Sequence, residues 1–482
     1  MNVRAPIRFL GRLILLLAGT ELAPALCALA YHESMVASAF AVSAGITAVC
    51  GALMLWAGRG EDSQLYRREG ILIVVGGWVA ASLFGALPYL LTGTFTSPVD
   101  ALFESASGFT TTGASVLIDI EAMSRGVLFW RSFTQWLGGM GIIVLFVALL
   151  PELGPGARFL YKLEVPGPTA EALQPRIRDT AGILWKIYLL FTGAQTVLLM
   201  LVGLDLYDAL THTFSTLSTG GFSPRNASMA AFPAAAHVIV IAFMVLAGAN
   251  FSLYYLMRKP GGTRLLGDPE FRLYVQILAG ATVLVAWDLV HSGHYGQPLP
   301  ALLDAAFQVT SVMTTTGFAT ADFGGWPLLS RALLVTLMFV GGCAGSTAGS
   351  MKVMRMVIGL RYALREVQLI FSPNTVLRIL VGGKAVPDAV ARSVAGFFIL
   401  YLSTWGLGTL LLSLASPDMV TTATASAATL GNIGPGLRAV GPTENYAFFN
   451  GGQKLLMVLL MWLGRLEVYS IMALFTRSFW RR

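Results

Sequence analysis

The sequence predicts an all-α membrane protein with ten transmembrane helices, arranged as an N-terminal hairpin and four repeats of helix, re-entrant loop and helix. Three observations predict this class: the composition, the spacing of the apolar segments, and a short motif that recurs between them. The 482 residues are 55% hydrophobic and only 12% charged, whereas soluble domains carry about 25% charged residues. Lipid is therefore the main environment of this chain.

The N-terminal region predicts a hairpin of two membrane helices. Apolar stretches run from about Ile7 to Ala30 and from about Met35 to Trp56, within a unit that we delimit as residues 1–58. Basic residues before the first stretch and the Ala-Leu-Ala at its end also resemble a cleavable signal peptide. Because the first stretch is long and contains Pro24, a retained hairpin is the favoured interpretation.

Four copies of one plan follow the hairpin, each with an apolar span, a short segment that opens near an Asp, a Gly-bearing loop and a second span. The units cover residues 70–150, 180–258, 271–370 and 390–478. First spans lie near Ile71–Leu91, Gly182–Val202, Tyr274–Leu289 and Val394–Leu414. Second spans lie near Phe129–Leu150, Ala234–Leu256, Leu328–Val340 with a broken continuation, and Leu455–Phe475. Two spans plus eight place both termini on one side of the membrane.

The distribution of basic residues predicts which side that is. Lys and Arg concentrate in the connections that share a side with the termini, such as Arg158–Arg178 and Arg355–Lys384, and few lie near the four loops. Cytoplasmic connections carry this excess. We therefore expect both termini in the cytoplasm and four loops that enter from outside.

The four loops share the pattern Ser or Thr, any residue, Gly, any residue. A single copy predicts only a turn, but four copies in matching contexts indicate one structure. Non-helical backbone at membrane depth must be buried in protein or line a wet cavity, and rings of carbonyl oxygens replace the hydration shell of a cation. The sequence thus predicts a pseudo-fourfold cation pore. The candidate ion-binding residues are Thr111, Thr112, Gly113, Ser218, Thr219, Gly220, Thr315, Thr316, Gly317, Thr429, Leu430, Gly431 and Asn432.

An Asp precedes each of these glycines by twelve or thirteen positions: Asp100, Asp208, Asp304 and Asp418. Asp is a preferred N-cap and suits the positive end of the helix dipole. We expect each Asp to cap a short re-entrant helix whose negative C-terminal end points at the pore. Glu104, one turn into the first of these helices, would attract cations or stabilise the helix start.

The second span of the third unit is interrupted by a run of small residues, Gly341–Ser350. A helical rise of 1.5 Å per residue from Leu328 places Gly341 roughly 20 Å down, below the filter loops. Small residues also permit close helix packing, but ten in succession favour a flexible loop. The candidate gate residues are Gly341, Gly342, Gly345, Ser346, Thr347 and Gly349, together with Arg465. The first unit has a similar weak point at Gly138–Gly141.

Arg465 lies in the middle of the last span, near Glu467. Ionisable residues inside a span usually face a cavity or a partner and mark function. Arg465 therefore either holds the gate closed and sets an electrostatic barrier, or simply pairs with Glu467. Lys352, after the gate run, is interpreted as an interfacial anchor.

Other functional classes lack support in the sequence. The net charge of +7 is spread over short connections, which does not indicate nucleic-acid binding. The three cysteines and five histidines show no disulfide framework or metal spacing. There is no phosphate-binding Gly loop with Lys and Ser, so we expect neither an enzyme nor a cofactor in this chain. An organic-solute transporter would show two similar halves rather than four units.

These motifs resemble the superfamily of potassium transporters that includes TrkH, KtrB, plant HKT and KdpA, and the TrkH branch most of all. The resemblance rests on Ser107–Ala114, Ser218–Ser223, Thr314–Thr320 and Leu430–Gly436, on Glu164–Pro168 followed by Pro175–Ile177, and on the extra N-terminal hairpin.

The resemblance implies potassium as the transported ion, bound by loop carbonyls, with Gly at all four filter positions arguing for potassium over sodium. It also implies a gate at the Gly341–Ser350 loop beside Arg465, a homodimer in the bacterial inner membrane, and a cytoplasmic nucleotide-binding subunit of the TrkA type. The basic stretches Arg158–Arg178 and Arg355–Lys384 are interpreted as docking surfaces or as segments attracted to anionic lipid. A sodium- or proton-coupled symporter is the alternative to a gated channel.

Overall fold

The computed structural model describes residues 4–59, 67–141, 177–257, 264–416 and 418–480. Its α-helices are α1 Arg4–Thr20, α2 Leu22–Ala30, α3 Ser34–Ala57, α4 Arg67–Leu91, α5 Pro98–Phe109, α6 Arg125–Gly139, α7 Ile177–Leu201, α8 Leu206–Leu217, α9 Ala234–Ala247, α10 Phe251–Met257, α11 Arg264–Gly267, α12 Pro269–His291, α13 Pro298–Met313, α14 Leu328–Val340, α15 Val353–Phe371, α16 Asp388–Leu412, α17 Met419–Leu430, α18 Gly451–Arg465, α19 Tyr469–Leu474 and α20 Arg477–Trp480. Short 3-10 turns cover Ser228–Ala231, Phe323–Gly325, Ser413–Ala415 and Arg438–Val440. Strands β1 Leu380–Val381 and β2 Lys384–Ala385 form a small antiparallel hairpin.

Helices α1, α2 and α3 form the N-terminal hairpin and lie against the first unit. A Cβ added at Gly11 of α1 would lie 2.9 Å from the carbonyl oxygen of Gly51 in α3, so these backbones touch directly. Small residues permit such close packing between membrane helices. Helix α1 also packs on α4, and α2 packs on α6.

Within the described ranges, six helices are long and apolar enough to cross a membrane, or seven when the bent pair α9–α10 is counted. The six are the two arms of the hairpin, with α1 and α2 taken as one arm, and the first helix of each unit, which are α4, α7, α12 and α16. The other four predicted spans are the second helices of the units. The ten-span arrangement stays a prediction, because each of those second helices is short or interrupted.

All four second helices stop at comparable places, whereas the sequence predicted continuous second spans in the second and fourth units. Helix α9 bends by 90° into α10, and α18 stops at Arg465, before α19. In the first unit α6 ends at Gly139, and in the third α14 ends at Val340. The predicted spans Ala234–Leu256 and Leu455–Phe475 are therefore interrupted helices, and their crossing of the membrane stays a prediction.

The break after α18 has a cause in the backbone conformation, and the bend between α9 and α10 has a cause in tertiary contacts. Glu467 and Val468 adopt left-handed backbone conformations, with φ of 57° and 45°, and turn the chain out of helix α18. Val468 is β-branched, and such residues rarely enter this region. At the α9–α10 bend, the Ala247 carbonyl accepts from the Thr347 hydroxyl at 3.1 Å, and the Gly248 carbonyl accepts from the Cys343 amide at 2.8 Å. These contacts come from a remote segment, so apolar composition alone did not reveal the break.

The second helices close the four units into a ring. Each one packs against the short helix of the following unit: α6 on α8, α9 on α13, α14 on α17, and α18 back on α5. Two glycines also bring a second helix into direct contact with the short helix of its own unit. A Cβ at Gly138 would lie 1.8 Å from the Phe109 carbonyl oxygen, and one at Gly464 would lie 1.9 Å from that of Leu430. The ends of the short helices are thus held by direct backbone contact.

We expect Gly464→Ala to destabilise the protein by roughly 1–3 kcal/mol, the usual cost of overpacking, because its methyl group meets the backbone of α17. The measurement is the melting temperature of the detergent-solubilised protein. Gly193→Ala in α7 is the control, since nothing lies within 4 Å of a Cβ there. Equal melting temperatures for the two variants would contradict the close contact.

Candidate ion pathway

The four short helices end in the same backbone conformation. Each ends at a right-handed cap residue, and the next residue is left-handed although it is not glycine. Such residues are uncommon, so four at one position mark equivalent loops. The left-handed residues are Thr111, Thr219, Thr315 and Asn432, with φ between 54° and 59°. Two positions later stand left-handed glycines, Gly113, Gly221, Gly317 and Gly434, with φ of 78°, 77°, 82° and 98°.

This geometry corrects the register predicted for the second and fourth loops. Gly221 and Gly434 are the equivalents of Gly113 and Gly317, rather than Gly220 and Gly431. Ser218 and Gly431 are helix caps, and Thr429 and Leu430 belong to the last turn of α17. The match of Gly221-Phe222 to Gly317-Phe318 was the sequence feature that could have shown the correct register of the second loop.

Each of the four left-handed glycines touches a carbonyl of the following loop. A Cβ added at Gly113 would lie 2.1 Å from the oxygen of Gly220, one at Gly221 1.9 Å from that of Thr316, and one at Gly317 2.1 Å from that of Ile433. A Cβ at Gly434 would lie 2.9 Å from the oxygen of Thr112, which closes the ring. Glycine is required at these positions both by φ and by this close approach.

The glycine ring separates two cavities. The larger, of about 150 Å³, touches all four left-handed glycines and is also lined by Arg131, Arg225 and Tyr446. The smaller, of about 50 Å³, is lined by Gly139, by residues of the 341–352 loop and by Arg465. The larger cavity thus touches the glycine ring itself, and the smaller one lies where the second helices are interrupted.

A buried ion pair supports the first loop. The Arg131 guanidinium in α6 donates to Glu104 at 2.7 Å, and their side chains are 1% and 0% exposed. Arg131 also donates to the Ser223 carbonyl at 3.3 Å and stacks 4.1 Å from the Phe222 ring centroid. Because Arg131 neutralises Glu104, this carboxylate braces the loops and does not serve as a free cation attractor. The sequence analysis overlooked Arg131.

Gln135, one turn after Arg131, clamps the second loop. Its side-chain amide donates to the Gly220 carbonyl at 2.7 Å, and its oxygen accepts from the Phe222 amide at 3.0 Å. The sequence analysis overlooked Gln135 as well. Its signal was a pair of polar side chains, Arg131 and Gln135, at helical spacing in an otherwise apolar segment.

Of the four aspartates predicted as caps, only Asp418 occupies an N-cap position, where it accepts from the Thr421 amide at 2.9 Å. Ser97 and Asp205 cap α5 and α8 instead, and Asp100 and Asp208 stand three residues later. Asp304 lies in the second turn of α13, which is preceded by Gln297. The prediction failed for three residues because another residue upstream begins each helix.

Those three aspartates make tertiary contacts. Asp100 accepts from Lys454 at 2.6 Å, and Asp208 accepts from Arg225 at 2.7 Å. Asp304 accepts from the Tyr295 hydroxyl at 2.7 Å and the Thr320 hydroxyl at 2.8 Å. Each short helix is thereby tied near its start to a neighbouring loop or helix.

The segment 341–352 between α14 and α15 forms a loop that packs against the Gly-bearing loop of the third unit. The Gly349 amide donates to the Thr315 hydroxyl at 2.7 Å, and a Cβ at Gly349 would lie 2.2 Å from the Gly431 carbonyl oxygen. Gly341 and Gly345 are left-handed, with φ of 76° and 72°. The 341–352 loop therefore contacts the Gly-bearing loops of the third and fourth units.

Arg465 at the end of α18 joins this loop to the first unit. Its guanidinium donates to the Thr347 carbonyl at 3.0 Å, the Thr111 hydroxyl at 3.1 Å, and the carbonyls of Gly138 and Gly139 at 2.5 and 2.9 Å. Glu467 pairs with Arg355.

Lys352 was predicted to be an interfacial anchor, and the structure shows that this prediction was wrong. Its side chain is buried, and the ammonium donates to the Ser346 hydroxyl at 3.3 Å and to the Ala348 carbonyl. Lys352 and Arg465 line the same small cavity. Two cationic side chains thus line the smaller cavity.

Comparison with known proteins identifies the family. The TrkH family model, described as a cation transport protein, matches residues 37–481. The chain belongs to the TrkH family. It is 40% identical to the Trk system potassium uptake protein TrkH of Halomonas elongata and 37% identical to that of Escherichia coli, over the whole of both chains in each case. The crystal structure of the potassium transporter TrkH from Vibrio parahaemolyticus matches with a TM-score of 0.90 and 38% identity, covering both chains fully.

TrkH membership confirms the resemblance found in the sequence and the expectation of a membrane transporter rather than an enzyme. Within the described ranges, no group of three or more His, Cys, Asp or Glu side chains could hold a metal ion. The Glu164–Pro168 and Pro175–Arg176 motifs lie outside the described residues, as does most of the Arg158–Arg178 stretch.

We expect Arg131→Met to cost about 3–5 kcal/mol of stability, because it leaves the Glu104 carboxylate buried and unpaired. The double variant Glu104→Gln with Arg131→Met should cost much less than the sum of the two single variants. A double-mutant cycle on thermal unfolding in detergent measures this coupling. Additive losses would show that the pair does not brace the loops.

Proposed function

We propose that this chain carries potassium across the membrane through the centre of the four-loop ring. The observation that carries the proposal is the closed cycle of glycine-to-carbonyl contacts, which joins the backbones of the four loops into one ring. Backbone carbonyl oxygens replace the hydration shell of a permeating cation. The relatives named as potassium uptake proteins support potassium as the ion.

The proposed filter keeps one glycine per loop, Gly113, Gly221, Gly317 and Gly434. In the HKT branch, Ser in place of the first filter Gly accompanies sodium preference, and this chain has Gly in all four loops. The residues just before the glycines differ between loops, namely Thr112, Gly220, Thr316 and Ile433. Each ion site is therefore asymmetric, unlike the sites of a channel built from four identical chains.

The proposed gate is the 341–352 loop together with Arg465. The loop lies under the filter, and the Arg465 guanidinium bridges it to the first unit through Thr347 and Thr111. A positive charge on the path opposes a cation, and the hydrogen bonds hold the loop in place. Opening requires the loop to leave these partners.

We further propose ten spans, with both termini on the cytoplasmic side of the bacterial inner membrane and the larger cavity facing outside. In this arrangement each second helix crosses the membrane in two segments. The proposed assembly is a homodimer with a cytoplasmic, nucleotide-binding subunit of the TrkA type, and the relatives' Trk system name implies further components. The basic stretch Arg355–Lys384 would contact that subunit or anionic lipid.

We expect Gly434→Ala to abolish potassium selectivity, because the new methyl group is strained at φ of 98° and crowds the Thr112 carbonyl. The comparison variant is Gly431→Ala, whose φ of −79° suits any residue and whose added methyl group would meet Ile433 and Ala427 of its own unit rather than the next loop. The measurement is the reversal potential of purified protein in vesicles under potassium, sodium and pH gradients. In wild type it should follow the potassium gradient alone.

Two outcomes of that measurement would contradict the proposal. Equal loss in both glycine variants would reject the register of the fourth loop. A wild-type reversal potential that moves with the sodium or pH gradient, at a fixed potassium gradient, would indicate a coupled symporter.

We expect Arg465→Ala to raise potassium flux by roughly tenfold, the factor that corresponds to a 1.4 kcal/mol shift toward the open state. The assay is tracer uptake into vesicles by equal amounts of protein. Arg361→Ala, an exposed cation on α15, should leave flux unchanged. Unchanged flux in Arg465→Ala would show that this residue does not restrain the gate.

A further inference from the structure

The 341–352 loop consists mainly of small residues and cannot hold its own shape. Such backbone loses much conformational freedom when it is ordered. Its fixed position must therefore come from partners outside the loop. Arg465 and Thr315 are two such partners, and further ones lie at the α9–α10 bend and on α12.

The bend between α9 and α10 provides a polar seat for the loop. The Cys343 amide donates to the Gly248 carbonyl at 2.8 Å, and the Phe251 amide donates to the Gly345 carbonyl at 3.1 Å. These are bonds between neutral groups. They become available because the bend leaves helix-end carbonyls and amides without helical partners.

Glu270, at the start of α12, provides a charged partner. One carboxylate oxygen accepts from the Ala344 amide at 2.8 Å and from the Met354 amide at 3.0 Å. Ala344 lies near the beginning of the loop, and Met354 lies in the first turn of α15. A single oxygen thus fastens both ends of the loop to α12.

The position of Glu270 is not explained by helix capping. Asp268 already caps α12, by accepting from the Phe271 amide at 2.9 Å. Glu270 is 5% exposed, although an acidic residue can stabilise a helix start equally well in water. Burial of a carboxylate is costly, so a buried Glu aimed at two loop amides indicates a specific task.

We propose that Glu270 is the latch of the gate: a positioning residue whose carboxylate holds the 341–352 loop in its closed place from the side opposite the filter. This inference rests on the proposed gating function. Hydrogen bonds to an ionised acceptor are stronger than neutral ones. Since opening must break them, they favour the closed state over the open one.

The chain carries its own reporter of loop movement. Cys343 lies in the loop and is 1% exposed, and the only other cysteines are Cys27 and Cys50 in the N-terminal hairpin. In a background with Cys27→Ala and Cys50→Ala, labelling by N-ethylmaleimide reports how often the loop leaves its seat. Labelling and potassium tracer uptake are then measured on the same vesicles.

We expect Glu270→Ala to raise both the Cys343 labelling rate and the potassium flux by roughly tenfold, the effect of losing about 1.4 kcal/mol of closed-state preference. Glu270→Gln keeps an acceptor oxygen without the charge and should lie between wild type and Glu270→Ala. Asp388→Ala is the control, because it removes an exposed carboxylate that pairs with Arg365 instead of the loop. It should change neither measurement.

Two results would overturn the latch. Faster labelling with flux at or below the wild-type level would mean that Glu270 only supports the fold. No change in either measurement would mean that it does not hold the loop. If wild-type vesicles carry no potassium, the proposed function itself fails, whereas wild-type flux that Glu270→Ala leaves unaltered removes the latch alone.

Discussion

The close contact between each left-handed glycine and the carbonyl of the next loop is the constraint on which the rest of the architecture depends. Four such contacts, from Gly113 to Gly220, Gly221 to Thr316, Gly317 to Ile433 and Gly434 to Thr112, close a cycle of backbone. Backbone of this kind cannot stabilise itself, because it lacks a regular ladder of hydrogen bonds. It needs rigid surroundings.

The surroundings supply that rigidity through contacts of two kinds. Glycines at the ends of the second helices, such as Gly138 and Gly464, let backbones meet directly, as the packing of α6 and α18 shows. Buried polar side chains then fix the loops, among them Arg131, Glu104 and Gln135. These charged and amide groups are tolerated at depth only because each is paired.

The region below the ring is held by fewer contacts between helix backbones. Every second helix stops there, and the third unit extends its break into the 341–352 loop. Instead of being tied by direct contact between helix backbones, the loop is held by hydrogen bonds to Arg465, Glu270 and the α9–α10 bend. In the proposed function, this difference lets the loop move as a gate while the ring keeps its shape.

Much of this fold could be predicted from the sequence, since hydropathy, charge asymmetry and repeated motifs each depend on local composition. The break after Val340 and the unusual position of Arg465 were visible for the same reason. The register of the second and fourth Gly-bearing loops could not be predicted, because Gly220 and Gly431 fit the motif as well as the glycines that the ring requires. The prediction of the capping aspartates failed for a similar reason. Ser97 and Asp205, three residues upstream of Asp100 and Asp208, are equally suitable N-caps, and the two predicted aspartates make tertiary contacts instead. The partners of Arg131 and Glu270 are remote in sequence, so only the folded chain reveals them.

The central claim is that potassium passes along the axis of the glycine ring. The most direct measurement is anomalous diffraction from crystals in which thallium or rubidium replaces potassium. We expect an anomalous peak on that axis, surrounded by the backbone of the loops that contain Gly113, Gly221, Gly317 and Gly434. Crystals with full ion occupancy elsewhere and no peak inside the ring would contradict it.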